Sequence, residues 1–212
     1  RLETRAVTGQ SGGQMMQIMG GLLLGGQSLR MGSPKGLALL PEGRPMALPC
    51  LKALEQVADD VALLRGPLAL KAGEGLRILP DVSANIGPLG GVDAALGSGL
   101  GELWIILPWD MPRVGPKELT PLADALRGGA SIAVYRGAGT PTGLAPFPLG
   151  ISTRAHPQLK APLEGGQGSV WRFLASAPVE VLMPPPGDPS RLVGINTPEA
   201  LGACPGSWDT TP

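Results

Sequence analysis

Histidine is almost absent from this sequence. One residue in 212, His156, carries an imidazole. No cysteine or second histidine stands near it at the spacing of a zinc site. Nothing places it beside an activated serine, so a Ser-His-Asp hydrolase is excluded. His156 therefore reads as a structural or solvated side chain. Cysteine is as scarce. Cys50 and Cys204 lie far apart, which excludes a disulfide framework and fits a reducing cytosol. No excess charge of either sign exists: 17 basic residues face 17 acidic ones. That balance argues against a nucleic-acid binder that works by neutralising phosphates. No charge appears between Arg5 and Arg30, but Gln10, Ser11, Gln14, Gln17 and several glycines interrupt the stretch. It is read as neither a membrane span nor a secretory leader, both of which need a continuous apolar middle. Aromatics are only 3% of the chain, yet apolar residues reach 43%, enough for a packed core rather than disorder.

What the sequence does contain is concentrated between Leu22 and Lys35, LLLGGQSLRMGSPK. A short apolar run is followed by Gly25 and Gly26, then Ser28, Arg30, Gly32 and Lys35. This pattern reads as a buried strand that stops abruptly and releases an anion-holding loop. Glycines let backbone N–H groups approach phosphate oxygens, because no Cβ intervenes. Arg30 and Lys35 supply positive charge where a triphosphate is negative. The loop is not of the Walker type, because Lys35 is followed by Gly36. Nor is it a dinucleotide fingerprint, because Gly25 and Gly26 are adjacent.

Strand-like and helix-like segments alternate along the chain. Residues 18–24, Val61–Leu64, Leu76–Asp81, Leu103–Leu107 and Ser131–Tyr135 read as strands. Pro45–Ala58, with Pro45 suited to its first turn, Pro88–Leu100 and Pro116–Arg127 read as helices. Thr142–Leu149 is expected to be extended, 168–175 a short helix, Val179–Met183 a strand, and a last helix starts at Pro198. Trp171 and Phe173 read as core or pocket wall. The alternation predicts an α/β fold with a mostly parallel sheet and helices on both faces. Residues 18–203 are expected to form one domain, with 1–17 a disordered extension and 204–212 a loose tail.

In such sheets ligands bind beyond the carboxyl ends of the strands. The first strand ends at the Gly-rich loop, the third at Asp81 and the fourth at Asp110. Two carboxylates and a phosphate loop thus share one edge. Asp110, in LPWDMP, can hold Mg²⁺, which takes one or two carboxylates plus phosphate oxygens. It can equally be a turn residue. Asn196, in GINTPEAL, is a candidate cap for the last helix, with Thr197 as the other.

These elements together resemble the molybdenum cofactor guanylyltransferase family of nucleotidyltransferases. Leu23, Gly25, Gly26, Ser28, Arg30, Met31, Gly32 and Lys35 match its L-A-G-G-x-S-x-R-M-G-x-x-K signature, with Leu24 in place of Ala. Pro108–Pro112 matches its P-x-D-x-P element. Asp81 followed by Gly87-Pro88-Leu89-Gly90-Gly91 is similar to its Asp and G-P-L-A-G. Its N-x-N-T-P-E element survives at Asn196, with Gly194 replacing the first Asn. The Asn typical of the region near Leu64–Arg65 is missing. The resemblance implies a three-layer Rossmann-like nucleotidyltransferase fold. It implies that Leu23, Leu24, Gly25, Gly26, Lys35, Asp81 and Asp110 bind nucleotide and that Asp110 holds Mg²⁺. Arg30, Lys35 and Asp110 would be catalytic, and Asn196 would lie on the acceptor side. The implied reaction transfers GMP from GTP to the terminal phosphate of molybdopterin, with pyrophosphate leaving. Cofactor delivery and acceptor proteins would be the partners, with no nucleic acid or membrane, in the cytoplasm. A sister transferase using CTP or a sugar phosphate, and a non-catalytic nucleotide-binding module, stay open at this point.

Overall fold

The computed structural model describes residues 16–24, 38–66, 73–81, 86–137, 140, 142–166 and 168–202. The loop residues Gly25, Gly26, Ser28, Arg30, Gly32 and Lys35 lie outside them, as do 1–15 and 203–212. In chain order the elements are β1 (Ile18–Leu23), α1 (Ala47–Glu55), β2 (Asp60–Leu64), β3 (Arg77–Leu79), α2 (Pro88–Gly97) and β4 (Leu103–Pro108). There follow α3 (Pro116–Arg127), β5 (Ile132–Arg136), β6 (Leu144–Ser152), α4 (His156–Glu164), α5 (Val170–Ser176), β7 (Glu180–Leu182) and α6 (Pro198–Gly202).

The strands form one sheet in the order β3-β2-β1-β4-β6-β5-β7. β1 pairs in parallel with β2 and β4, β2 with β3, and β5 with β7. Only β6 runs antiparallel, inserted between β4 and β5. The fold is therefore the mostly parallel α/β sheet that the alternation predicts, with one reversed strand that alternation does not reveal.

Period-two burial builds a core on each face. Along β1, Ile18 and Leu22 point to one side and Met19 and Leu23 to the other. The first side packs on α1 and α3 through Leu51, Leu54, Leu119 and Leu122. The second packs on α2, α4 and α5 through Leu89, Val92, Leu159 and Phe173. Trp104 on β4 is fully buried in that second core, and its indole N–H donates to Gly101 O at 3.0 Å. That bond satisfies the one polar group of a large apolar side chain.

Several boundaries differ from the sequence expectation for local reasons. α1 starts at Ala47 because Pro45 is held in a bridge with Leu39. The segment expected to be merely extended after Thr142 is the nine-residue strand β6. Its Pro146 and Pro148 cannot donate to a ladder. Pairing with β5 consequently jumps from Ala133↔Gly150 to Tyr135↔Ala145. The residues between are pushed out as a bulge, and two of them, Pro146 and Phe147, line a cavity. Helix α4 is not anticipated by the sequence, because it carries prolines at 157 and 162 and only Leu159 is buried. It is tied down instead by His156 Nε2, 2.8 Å from Asp93 Oδ1 on α2. His156 is thus a structural side chain, as expected. No helix among the described residues is long and apolar enough to cross a membrane.

Candidate functional site

Beyond the carboxyl ends of β1, β4 and β5 opens a cavity of about 710 Å³. Its lining includes Leu23, Pro88, Asp110, Arg136, Phe147, Trp171, Met183, Gly194 and Asn196. This is the sheet edge on which the strand-end rule places ligands.

Asp110 is part of its lining, in the turn that ends β4. The turn is fixed from two directions. Trp109 N donates to Leu23 O at 3.2 Å, and Ile195 N donates to Asp110 O at 2.7 Å. The chain around Ile195 returns from the far end of the sequence, so residues distant in order are clamped against β4. Burial pushes the Asp110 carboxyl up from 3.8 to about 6, outweighing the opposing hydrogen bond from its own backbone N–H. Gly194 lies directly against this carboxylate. A Cβ at Gly194 would sit 3.2 Å from both Asp110 Oδ2 and Asn196 Nδ2. The glycine that replaces the family's first Asn therefore lets the chain pass close to the acid.

The returning segment is braced on α3. Glu118, only 3% exposed, accepts from Gly115 N at 2.8 Å and pairs with Arg191 Nε at 2.9 Å. Tyr135 donates its hydroxyl proton to Glu118 O at 2.8 Å, and burial followed by the Glu118 charge pushes that phenol up. Lys117 Nζ donates to Pro186 O at 2.6 Å, and Arg113 Nη1 to Ser190 Oγ at 2.6 Å. Cys50 is buried beneath the turn with Sγ 3.5 Å from Trp109 O. Burial, then the charge of Asp110, pushes its thiol up, so it is inert as a nucleophile.

The structure brings together Leu23, Asp110 and Asn196 among the sequence candidates, and it separates Asp81. Asp81 follows β3, three strands from β4, and does not line the cavity. Its Oδ2 accepts from Arg65 Nε at 2.7 Å, while its buried Oδ1 has no hydrogen-bond partner among the described residues. Arg65 occupies the region where the family's Asn is missing and adopts a positive φ of 74°. Gly90 packs closely on this acid: a Cβ there would stand 3.1 Å from Asp81 Cγ, a tight contact. Leu24 also differs from expectation. Its N–H donates to Leu64 O at 3.0 Å, closing the sheet, so it is not a free donor for a phosphate. Asn196 is not the helix cap: Thr197 Oγ1 accepts from Ala200 N at 3.2 Å, and Asn196 Nδ2 donates back to Gly194 O at 3.3 Å. Gly25, Gly26, Arg30 and Lys35 lie outside the described residues.

Sequence reasoning missed Arg136 and the Arg65–Asp81 pair. Both arginines end or follow strands, β5 and β2, so the strand-end rule marks their positions as candidates without revealing a role or a partner. Phe173 is core and Trp171 is cavity wall, the two roles left open for them.

A divalent cation suits Asp110. The acid is desolvated, it lines a cavity, and among the described residues it has no ion-pair partner. Among the described residues no group of three or more His, Cys, Asp or Glu side chains could hold a metal by itself. A cation here would complete its shell from substrate phosphates and water, as Mg²⁺ commonly does.

Comparison with known proteins agrees with this geometry. Residues 20–181 match the model of the MobA-like NTP transferase domain. The chain is 33% identical over 111 residues to the "Probable molybdenum cofactor guanylyltransferase" of Methanothermobacter thermautotrophicus, covering 50% of this chain and 56% of that protein. It is 28% identical over 183 residues to the protein of the same description from Flavobacterium johnsoniae, covering 85% and 92%. The chain thus spans about half the length of the first relative and most of the second. Among solved structures it is similar to molybdopterin-guanine dinucleotide biosynthesis protein A from Archaeoglobus fulgidus, with a TM-score of 0.70 at 18% identity over 86% of this chain and 94% of that one. The chain belongs to the MobA-like NTP transferase family.

Proposed function

We propose that this enzyme transfers GMP from GTP to the terminal phosphate of molybdopterin, releasing pyrophosphate and forming the guanine dinucleotide. The carrying observation is the desolvated Asp110 carboxylate at the end of β4, lining a cavity roomy enough for a phosphorylated acceptor. The guanylyltransferase descriptions of the relatives support guanine and molybdopterin over other substrates.

A phosphate oxygen of the acceptor forms a bond to the α-phosphorus of GTP. The bond from that phosphorus to the bridging oxygen of the β-phosphate breaks, and pyrophosphate departs. Such chemistry depends on in-line positioning and charge neutralisation. Asp110 would hold Mg²⁺, which would draw the phosphate charges together when bound. The fixed turn around Trp109 and the clamp from Ile195 keep the carboxylate in place during turnover. Arg30 and Lys35 would bind the triphosphate and stabilise pyrophosphate as it leaves. The backbone N–H groups of Gly25 and Gly26 would cradle the phosphates, and Leu23 would form the adjacent wall. Asp81 would reach the nucleotide with the oxygen that has no partner among the described residues, and Asn196 would face the acceptor.

Thermal unfolding with GTP, CTP, ATP and UTP, each with and without Mg²⁺, tests the reading. A ligand that binds only the native state raises the melting temperature by mass action. The expected result is a Mg²⁺-dependent rise selective for GTP. Selectivity for CTP would overturn the assignment of guanine, and no rise with any nucleotide would overturn the site.

A further inference from the structure

We propose that Arg136 binds the phosphate of the acceptor, and that the apolar wall beside it receives a flat ring system carried by that acceptor. The inference rests on the transferase reading above and adds which wall takes the second substrate.

Among the described residues, Asp110 and Arg136 are the only charged side chains lining the cavity. They end β4 and β5, which flank β6. Two strand spacings separate them, about 10 Å. That span accommodates a phosphate on each side of a reacting pair. Three nearby cations are already engaged. Arg113 donates to Ser190, Arg191 pairs with Glu118, and Lys117 donates to Pro186 O. Arg136 has no ion pair or hydrogen bond to its guanidinium among the described residues and lies exposed at the strand end.

A monoester that attacks a triphosphate must bring its own negative charge beside three others. A guanidinium on the incoming side lowers that repulsion and fixes the phosphate through two parallel N–H donors. Apart from Thr140, Ser190 and Asn196, the rest of the wall carries no polar side chain, and Phe147, Trp171, Leu192, Val193 and Met183 make an apolar surface. Met183 is 71% exposed and Val193 60%, so among the described residues this surface is left largely uncovered. An acceptor that satisfies both features is a phosphate monoester attached to a flat, weakly polar ring. Its phosphate would point to Arg136 and its ring would lie on Trp171 and Phe147.

The test compares 1-naphthyl phosphate with 1-naphthol by titration calorimetry on the full chain, alongside GTP with Mg²⁺. Wild type, Arg136→Ala and Arg136→Lys are measured. Wild type should bind the phosphate about tenfold more tightly than the alcohol. Arg136→Ala should abolish that preference while leaving naphthol and GTP affinities within about twofold. Arg136→Lys should keep part of it, since charge remains and the planar fork is lost. Equal binding of phosphate and alcohol by wild type would overturn the proposal. So would an unchanged preference in Arg136→Ala, or an equal loss of GTP binding. GTP titration of wild type judges the underlying transferase reading separately, so the two fail independently.

Discussion

Replacing Asp110 by Asn separates what this acid does for catalysis from what it costs the fold. The side chain keeps its shape and loses its charge. In the folded protein the carboxyl titrates near 6 instead of 3.8, because burial disfavours the anion. That displacement corresponds to about 3 kcal/mol. The sign follows from linkage. The folded pKa lies above the unfolded one, so the penalty is complete above pH 6, shrinks as pH falls through 6, and is gone below 3.8. Asp110→Asn should therefore be more stable than wild type at pH 7.5 in EDTA, by up to about 3 kcal/mol. For a chain of this size that is roughly 6–12 °C in melting temperature. At pH 4.5 the gap should narrow to about a third of this, about 1 kcal/mol. Added Mg²⁺ with nucleotide should raise the wild-type melting temperature and leave that of the variant unchanged. Turnover should fall about a hundredfold or more, which is about 2.7 kcal/mol of barrier. Scanning calorimetry at the two pH values, with and without Mg²⁺, measures each arm. A variant that melts below wild type at pH 7.5 in EDTA, or a gap that does not narrow with acid, would refute the desolvation argument.

Other substitutions probe the frame around the acid. Gly194→Ala places a methyl group 3.2 Å from Asp110 Oδ2 and Asn196 Nδ2. Turnover should drop about tenfold while stability changes by about 1 kcal/mol, read from kinetics and thermal unfolding on the same preparation. Arg65→Ala strips the partner from Asp81, whose side chain is 13% exposed. It should destabilise by about 3 kcal/mol, seen as a lower urea midpoint at constant slope. Tyr135→Phe removes the hydroxyl bonded to Glu118 O and should cost about 1 kcal/mol in the same assay.

Sequence periodicity carries local information well and order across the sheet poorly. Helix α3 falls on the residues expected, because Pro116 opens it and Leu119, Leu122 and Leu126 repeat on one face. Helix α4 escapes notice because its apolar stripe is a single buried leucine and its anchor, the His156–Asp93 pair, spans 63 positions. The reversal of β6 is equally hidden, since a strand's partners depend on the whole sheet. The site divides in the same way. Asp110 is legible because it ends an apolar strand and sits in a matching motif. Arg136 ends a strand too, but a lone arginine carries no motif. The role of Gly194 appears only once the chain is seen returning to Asp110. The Arg65–Asp81 pair requires β2 and β3 to be adjacent and parallel, which no local pattern states.

The most direct test of guanylyl transfer follows two labels. GTP labelled on the α-phosphorus and GTP labelled on the γ-phosphorus are each incubated with the enzyme, Mg²⁺ and molybdopterin. The account predicts that the α label enters a dinucleotide with molybdopterin and that the γ label leaves as pyrophosphate in equal amount. It also predicts that CTP substitutes poorly. Release of the γ label as inorganic phosphate, failure of the α label to join the acceptor, or faster transfer from CTP would contradict it.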